Sequence, residues 1–415
     1  MVSSSKRRAA VGAARYHSPD GRRRGPRSPE ATTPITADQP ITLPITPIIP
    51  ISPINKECLD AIPFPVVAGV AAAGLLLTAC GSGANPAATV SSAASAASSA
   101  ASNATASVKV GMAYDVGGRG DQSFNDAAAA GMDKAKADLG VATTESTATA
   151  GEAESAREER LNTLIDQGYT AIVAVGFAYA PSIKKVAPAN PDVKFALVDS
   201  TDASGPSVQN IVFAEEQGSY LAGYAAALKS KSNTVGFVGG VQTDLIKKFE
   251  AGFVAGAKAA KPNVKVLTKY LTQPPDFKGF ASPALGKTAA DGMLSAGADV
   301  IYHASGGSGS GVFTAVKAKP GAWAIGVDSD QAKTADPKVR DIILTSMVKK
   351  LDVGVYEFIK QSKDGSFKAG PAAYDLKSDG VALATTGDHL NDIMPKLDAV
   401  KQEIVAGTVK VPSKP

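Results

Sequence analysis

From Val108 onward, short apolar runs alternate with helix-like stretches, and this alternation restricts the possible folds more than any other feature of the sequence. The runs are short and nearly continuous, as expected for strands buried on both faces of a parallel sheet. Such an alternation predicts right-handed βαβ units and open, doubly wound α/β sheets. We expect strands at 108–113, 171–175, 194–198, 234–238, 265–268, 299–302 and 322–327, with helices at 125–139, 153–167, 218–229, 245–260 and 287–296.

The alternation runs through the chain twice, and the two series begin at Val108 and Thr234. Each covers about 100 residues, which is an ordinary size for a domain. The stretch 213–218 interrupts the rhythm between them. The sequence therefore predicts two α/β lobes of similar size. Because ligands of open α/β sheets bind beyond the carboxyl ends of the strands, we expect the functional residues directly after each strand.

Upstream of this region, an apolar run over 61–77 closes with the tetrapeptide Leu77-Thr78-Ala79-Cys80. The run is shorter and richer in proline and glycine than a membrane span of about 20 apolar residues, and it has the size of a signal-peptide core. A cysteine directly after Leu-Thr-Ala resembles the bacterial lipobox, in which the peptide is cut before the cysteine and the thiol is lipidated. We expect a removed leader over 1–79, a lipid anchor at Cys80 and a flexible Ala/Ser-rich tether over 80–107. A buried N-terminal helix with an incidental cysteine is the alternative.

Charge and composition exclude several classes of site. The leader holds nine basic and five acidic residues, so the rest of the chain carries 34 of each and has no excess of basic residues for nucleic acid. Cys58 lies in the leader and Cys80 is assigned to the anchor, which leaves no thiol for a disulfide. Only His303 and His389 remain among the histidines, so we expect no His/Cys zinc centre and no bound metal.

The loop after the first strand has three glycines between 117 and 120, followed by Phe124 at the start of an alanine-rich helix. The glycines allow sharp backbone turns, and Ser123 or Asn125 can cap the helix. A large aromatic side chain has little reason to lie in such a loop unless a ligand packs on it. The loop does not complete G-x-G-x-x-G, so a dinucleotide is not expected, and we expect no cofactor.

Two stretches of this loop, Asp-Val-Gly-Gly at 115–118 and Asp-Gln-Ser-Phe-Asn at 121–125, resemble the opening motif of the basic membrane protein (BMP) family. These lipoproteins are the purine-nucleoside-binding components of ABC importers. The similarity continues over about 108–412, and the similar blocks follow in family order at 195–199, 215–223, 235–240, 248–253, 303–309, 325–331 and 346–350.

The resemblance implies a periplasmic-binding-protein type I fold, with two doubly wound parallel-sheet lobes joined by a multi-strand hinge. We expect 108–214 and about 329–345 in the first lobe, and 215–328 and about 346–415 in the second. The implied function is that of a lipid-anchored protein on the extracytoplasmic face of the cell membrane. It would capture a purine nucleoside between the lobes and deliver it to the permease of an ABC importer. No enzymatic activity and no nucleic-acid partner are implied, and we expect a monomer.

In the family, the purine is clamped between two aromatic rings, and such stacking contributes about 0.5–1.5 kcal/mol beyond the buried area. Phe124 is the expected ring from the first lobe. Phe280 is the expected ring from the second lobe, because 280–287 is similar to a family Phe-Asp-Asp-Pro-x-x-Gly-Lys block. This chain has Ala-Ser where the family has the two acids, and Phe277 is the second choice.

Polar residues complete the implied site. Asp115 and Asn125 would address the edge of the base, and the backbone of Gly306 would contact the ligand. Ionised carboxylates accept strong hydrogen bonds from hydroxyl groups, and the side chains implied for the ribose are Asp199, Asp328 and Lys349. Capping of the next helix is the alternative role for these two aspartates. Exposure on a solvated helix is the alternative for this lysine, with Lys350 as its competitor for the ligand.

Other candidate residues favour ordinary structural roles. Phe249 and Phe253 lie four apart in a predicted helix, which is the spacing of core residues, and His303 lies at the end of a predicted strand. The glycine-rich stretch around Ser308 lacks G-x-S-x-G and has no triad partner, so we expect it to line a cleft. A sugar- or signal-molecule-binding lipoprotein of the same fold is the alternative function, although Trp323 lies inside a predicted strand. A surface enzyme that cleaves nucleosides is the remaining alternative.

Overall fold

The computed structural model describes residues 108–415, so the expected leader, the tether and Cys80 lie outside the described residues. The described chain forms two lobes, each built on one six-stranded sheet with apolar side chains packed on both faces. This confirms the predicted α/β class with two parallel-sheet lobes. Between residues 108 and 415, no helix has both the length and the apolar character that a membrane crossing requires.

The first lobe begins with strands and helices in regular alternation. Its elements are β1 (Lys109–Tyr114), α1 (Phe124–Leu139), β2 (Ala142–Thr147), α2 (Glu154–Asp166), β3 (Ala171–Ala174), α3 (Ala180–Ala189), β4 (Lys194–Val198) and β5 (Val208–Phe213). A 3₁₀ turn at Phe177–Tyr179 precedes α3. Burial of all four residues of β3 agrees with a strand covered on both faces.

The second lobe repeats this alternation. Its elements are α4 (Glu215–Lys229), β6 (Thr234–Val241), α5 (Asp244–Ala260), β7 (Lys265–Thr272), α6 (Pro283–Ser295), β8 (Val300–Ala304), α7 (Gly309–Lys317), β9 (Trp323–Asp328), α8 (Gln331–Thr334) and β10 (Ile343–Lys349). Three 3₁₀ segments lie between them, at Phe277–Phe280, Gly306–Ser308 and Pro337–Ile342.

The chain crosses between the lobes three times, at Ala214, at Lys350 and over 375–380. After the second crossing, α9 and β11 complete the first lobe, and after the third crossing β12 and α10 complete the second. These four elements are α9 (Leu351–Asp364), β11 (Gly370–Tyr374), β12 (Val381–Leu383) and α10 (Met394–Val405).

The expected division of the lobes is wrong for two segments. Residues 329–345 remain in the second lobe, because they lead into β10, which pairs in parallel with β9. A connection between neighbouring parallel strands stays with its own sheet, so the helical turns after β9 do not join the lobes. Residues 351–374 lie in the first lobe instead of the second, because α9 packs against α1 and β11 pairs with β5.

The two sheets have the same arrangement of strands. Their orders are β11-β5-β4-β3-β1-β2 and β12-β10-β9-β8-β6-β7, and only the β10–β12 pair is antiparallel. Strands β4 and β9 therefore occupy equivalent positions in the two lobes. Asp199 follows β4 and Asp328 ends β9, with φ angles of 62° and 63°. This left-handed conformation is uncommon for residues other than glycine, and it occurs at matching points beside the cleft.

Glycines allow α4 and α5 to pack closely. A Cβ atom added at Gly256 would lie 1.9 Å from the carbonyl oxygen of Tyr220, and one added at Gly252 would lie 2.1 Å from that of Glu216. Thr243 caps the start of α5, because its hydroxyl accepts a hydrogen bond from the backbone N–H of Ile246 at 3.3 Å. The close contact fixes α5, which carries Leu245, Ile246 and Phe249 to the cleft, against α4.

We expect Gly256→Ala to destabilise the protein by about 1–3 kcal/mol, because its methyl group would force α4 and α5 apart. Gly292→Ala is the matched control within α6, where an added Cβ would meet no atom within 4 Å. Alanine is favoured over glycine in a helix interior, so this variant should gain about 0.5–1 kcal/mol. Urea unfolding measures both changes, and equal stability of the two variants would contradict the close packing.

Candidate functional site

A cavity lies between the carboxyl ends of the two sheets, where residues of both lobes form its wall. All eight residues expected to contact a ligand line it, four from each lobe. The first lobe contributes Asp115, Phe124, Asn125 and Asp199. The second lobe contributes Phe280, Gly306, Asp328 and Lys349.

The two expected aromatic rings enter the cavity from opposite lobes. Phe124 is the first residue of α1, and Phe280 ends the 3₁₀ turn at Phe277–Phe280. The Phe280 ring rests against the backbone of Gly240, where an added Cβ would lie 2.5 Å from a ring carbon. Any larger residue at Gly240 would therefore displace this ring.

Phe277, the second choice for the stacking ring, does not line the cavity. Its ring instead packs edge-to-face on Phe177 of the first lobe, with the ring centroids 5.9 Å apart. The guanidinium carbon of Arg157, also in the first lobe, lies 5.8 Å from the Phe277 ring centroid. Phe277 therefore joins the lobes next to the cavity, because Phe177 is itself one of the cavity-lining residues.

The loop between β1 and α1 is held by Asp121. One carboxylate oxygen accepts from the backbone N–H groups of Ser123 and Asp126, at 2.9 and 3.1 Å. The other accepts from the backbone and the side-chain amide of Asn125, at 2.8 and 3.0 Å. Asp121, and not Ser123 or Asn125, thus satisfies the first N–H groups of α1.

Asn125 uses its side chain largely within this loop. Its Oδ1 accepts from the backbone N–H of Asp115 at 3.1 Å, while its amide nitrogen donates to Asp121. Asn125 therefore fixes the position of Asp115. The Asp115 carboxylate accepts one local hydrogen bond, from the backbone N–H of Val116 at 2.8 Å. Burial raises the pKa of Asp115 to about 6, so this acid is largely ionised above neutral pH.

Ser123 links Asp328 to the opposite lobe. Its hydroxyl donates to Asp328 Oδ2 at 2.7 Å, and the hydroxyl of Ser329 donates back to the Ser123 carbonyl at 3.0 Å. Gln331 adds a third connection, from its side-chain amide to the carbonyl oxygen of Gln122 at 3.0 Å. Burial raises the pKa of Asp328 to about 6, although the Lys349 ammonium opposes the shift.

Lys349 ends β10 and is the cation of the cavity wall, with a side chain only 1% exposed. Its Nζ donates to both carboxylate oxygens of Asp199, at 2.8 and 2.6 Å, and lies 3.2 Å from Glu215 Oε1. It also faces the rings of Phe124, Phe213 and Phe249, at 4.8–5.6 Å from their centroids. Burial lowers the pKa of Lys349, but the carboxylates of Asp199, Glu215 and Asp328 outweigh this effect and raise it above its ordinary value.

His303 has a structural role. It is fully buried, and its Nε2 lies 3.0 Å from Gln331 Oε1, while its ring packs edge-to-face on Phe313. Burial lowers the pKa of His303 to about 4, so the ring is neutral at physiological pH. Gln331 Oε1 also accepts from the backbone N–H of Val327, so His303 helps to orient the residue that reaches across to Gln122.

Nine residues of the cavity wall were not expected from the sequence, and Asp121, Phe177 and Phe249 are among them. Phe249 was assigned to the core, and it is indeed only 3% exposed, yet its ring also lines the cavity. Phe177 lies two residues after the end of the strand expected over 171–175, and this position is the signal that could have identified it. Among residues 108–415, no group of histidine, cysteine and acidic side chains is arranged to hold a metal ion.

Replacing Phe277 with alanine should weaken ligand binding about tenfold, because the contact with Phe177 favours the form in which the lobes meet. Phe367→Ala is the control, since Phe367 packs edge-to-face on Phe358 within the first lobe alone. This control should lower stability without changing affinity. Calorimetric titration of both variants tests the expectation, and equal affinities would show that Phe277 does not contribute to closure.

Comparison with known proteins agrees with this geometry. The family model for PnrA-like ABC transporter substrate-binding proteins, Bmp, matches residues 108–415. A CD4+ T-cell-stimulating antigen of Listeria monocytogenes is 36% identical over 361 residues, which cover 83% of this chain and 97% of that protein. The ABC transporter nucleoside-binding protein BmpA of Lactococcus lactis is 34% identical over 321 residues, covering 74% and 90% of the two chains.

Among solved structures, a solute-binding protein of an ABC transporter system from Aeropyrum pernix is similar to this chain. The TM-score is 0.64 and the identity 29%, over 74% of this chain and 93% of that one. This similarity confirms the expected periplasmic-binding-protein type I architecture. Together with the family model over the whole described region, it shows that the chain belongs to the Bmp family of PnrA-like ABC transporter substrate-binding proteins.

Proposed function

We propose that this substrate-binding protein is lipid-anchored on the extracytoplasmic face of the cell membrane, captures a purine nucleoside between its lobes and delivers it to an ABC importer permease. The observation that carries the proposal is the pairing of Phe124 and Phe280, which line one cavity from opposite lobes. A flat heterocycle can stack on both rings at once and thereby hold the lobes together. The nucleoside-binding relative from Lactococcus lactis supports the same ligand class.

The charged wall of the cavity suits a ribose. Asp199 and Asp328 belong to opposite lobes, and both carboxylates lie near Lys349. Ionised carboxylates accept hydroxyl hydrogen bonds that are about twice as strong as neutral ones. We therefore assign the ribose hydroxyls to these three side chains. A contact from the backbone of Gly306 completes this part of the site.

Asp115 is assigned to the edge of the base. Its carboxylate is buried and accepts one local hydrogen bond, so it retains acceptor capacity for N–H groups of a purine. The amide of Asn125 is largely engaged by Asp121 and Asp115, so its role is to orient Asp115 within the site. This arrangement serves amino and oxo purines alike.

Transport rather than catalysis is the role that the family description supports. The residues lining the cavity include carboxylates and a lysine but no histidine, cysteine or serine. His303 and Ser308 are fully buried outside the lining, where they bond to Gln331 and to the carbonyl oxygen of Gly279. These contacts support a binding site without a nucleophile and its base.

Isothermal titration calorimetry of the purified chain with adenosine, guanosine and inosine tests the function. Heat with at least one nucleoside, and little with ribose or a free pyranose, is the expected result. Absence of heat with all three nucleosides would refute the nucleoside assignment. Binding of sugars alone would favour the alternative of a sugar-binding lipoprotein, and release of free base from inosine would reveal an enzyme.

Lipid anchoring requires a separate test, because Cys80 lies outside the described residues. We expect the expressed protein to partition with membranes, whereas Cys80→Ala should appear in the soluble fraction. Cys58→Ala is the matched control, since the proposed leader is removed before Cys80. Unchanged membrane association of Cys80→Ala would contradict an anchor at this residue.

A further inference from the structure

Glu215 is a buried acid beside the cavity whose position needs a functional explanation. Its side chain is 1% exposed, and it does not line the cavity. Neither of its carboxylate oxygens has a hydrogen-bond partner among the described residues. Its nearest cations are Lys349 Nζ, 3.2 Å from Oε1, and Lys248 Nζ, 3.6 Å from Oε2. A buried carboxylate without hydrogen bonds costs stability, so a neutral side chain would suit the fold better.

The two acids beside Lys349 lie in different lobes. Asp199 belongs to the first lobe, so its bonds to Lys349 cross the cleft and depend on the closeness of the lobes. Glu215 begins α4, which packs against β10, the strand that carries Lys349. Glu215 therefore remains beside the ammonium when a hinge motion separates the lobes, whereas Asp199 moves away.

We propose that Glu215 is a positioning residue for ligand binding, which holds the Lys349 ammonium at the cavity wall of the second lobe. Asp199 and the ligand hydroxyls then meet a cation whose position is already fixed when the lobes close. Preorganisation of this kind increases affinity by reducing the ordering that binding requires. The inference rests on the proposed function, because it assigns the ligand hydroxyls to the Asp199–Lys349 pair.

The charges around Glu215 give this role a measurable pH dependence. Lys349 on β10, Lys248 on α5 and Asp199 after β4 all face it, and Asp328 on β9 and Tyr302 on β8 lie in the same buried region. Burial raises the pKa of Glu215 to about 7, and the two lysines oppose this shift. Glu215 is therefore ionised at pH 8 and largely protonated at pH 6. Protonation removes the negative charge that holds the ammonium.

The test compares Glu215→Gln with Glu216→Gln, its neighbour in the first turn of α4, by calorimetric titration of the full chain with inosine. At pH 8 we expect Glu215→Gln to bind about tenfold more weakly than the wild type, while Glu216→Gln stays near the wild-type affinity. Between pH 8 and 6, the wild type should lose affinity, and Glu215→Gln should lose less. Glu215→Asp keeps the charge and should recover part of the affinity.

Thermal unfolding without ligand supplies a second readout. The pKa of Glu215 is higher in the native state than in the unfolded chain, where the carboxyl group has its ordinary pKa. Between these two pKa values, Glu215 is protonated in the native state and ionised in the unfolded chain. This group therefore lowers stability as pH rises from about 5 to about 7. The slope of Tm against pH over this range should be less negative for Glu215→Gln than for the wild type.

The possible results distinguish the positioning role of Glu215 from the proposed binding of a nucleoside. Wild-type affinity in Glu215→Gln at pH 8 would overturn the positioning role while leaving nucleoside binding intact. Weaker binding with an unchanged pH slope of Tm would also overturn it, because the loss would not come from the titrating carboxylate. A wild-type chain that binds adenosine or guanosine but not inosine is titrated with that nucleoside instead. A wild-type chain that binds none of the three would overturn both proposals.

Discussion

Lys349→Met should destabilise the protein by about 3–5 kcal/mol at pH 8, the range found when a buried ion pair loses one partner. The lysine is 1% exposed, and its removal leaves the carboxylates of Asp199 and Glu215 buried without this cation. Urea unfolding measures the change as a lower midpoint with an unchanged slope. The difference in unfolding free energy between this variant and the wild type should narrow at pH 5, because burial raises the pKa of Glu215 to about 7 and protonation then removes its charge.

Lys350→Met is the matched control for this prediction. Lys350 is the next residue along the chain, and its ammonium forms no ion pair with any residue between 108 and 415. Its replacement should change the unfolding free energy by less than about 0.5 kcal/mol, as is usual for residues without special contacts. Similar losses in the two variants would show that the buried ion pairs of Lys349 do not stabilise the fold.

With the proposed function, removal of either the Phe124 or the Phe280 ring should weaken nucleoside binding about 100-fold. Burying a phenylalanine side chain contributes about 1.5–3 kcal/mol, and stacking adds about 0.5–1.5 kcal/mol. Each 1.4 kcal/mol corresponds to about a factor of ten in affinity. Phe124→Ala and Phe280→Ala should therefore both abolish the ligand-induced rise in Tm at moderate ligand concentrations, as measured by thermal shift and calorimetry.

Phe124→Leu and Phe280→Leu separate stacking from apolar burial. Leucine keeps much of the apolar volume but has no ring face, so these variants should bind more tightly than the alanine variants and more weakly than the wild type. Full retention of affinity in both alanine variants would place the ligand elsewhere. Loss in only one of them would show that a single ring, and not a clamp, holds the base.

Most of the interior strands could be predicted because burial on both faces produces continuous apolar runs. Strand β3 has such a run, and all of its residues are buried. Strands β5 and β10 also lie inside their sheets, but they were missed because polar residues interrupt their apolar runs. Strand β2 was missed because its sequence, Ala-Thr-Thr-Glu-Ser-Thr, contains no apolar run and lies at the edge of its sheet. Many side chains of an edge strand contact water and need not be apolar. The sequence of such a strand therefore lacks the apolar pattern by which a buried strand is predicted.

Those residues of the candidate site that directly follow strands could be predicted from the sequence. Asp199 and Asp328 lie where open sheets place their ligands, and both line the cavity. The proposed role of Glu215 could not be inferred in this way, because Lys349 lies far from Glu215 in sequence and the burial of Glu215 depends on tertiary packing. The contact of Phe277 with Phe177 depends on how the two lobes pack against each other, and this packing cannot be predicted from the residues adjacent in sequence.

The order of the strands along the chain also determines when the first lobe can finish folding during synthesis. The first sheet is complete only when β11 pairs with β5, and Tyr374 then stacks on Phe213 at 5.3 Å. A nascent chain that ends before residue 351 therefore lacks both the last strand and the covering helix of its N-terminal half. Because translation proceeds from the N-terminus, that half must wait for almost the entire chain to emerge. Over most of this interval the edge of β5 lacks its partner β11, and an unpaired strand edge is prone to pair with other chains.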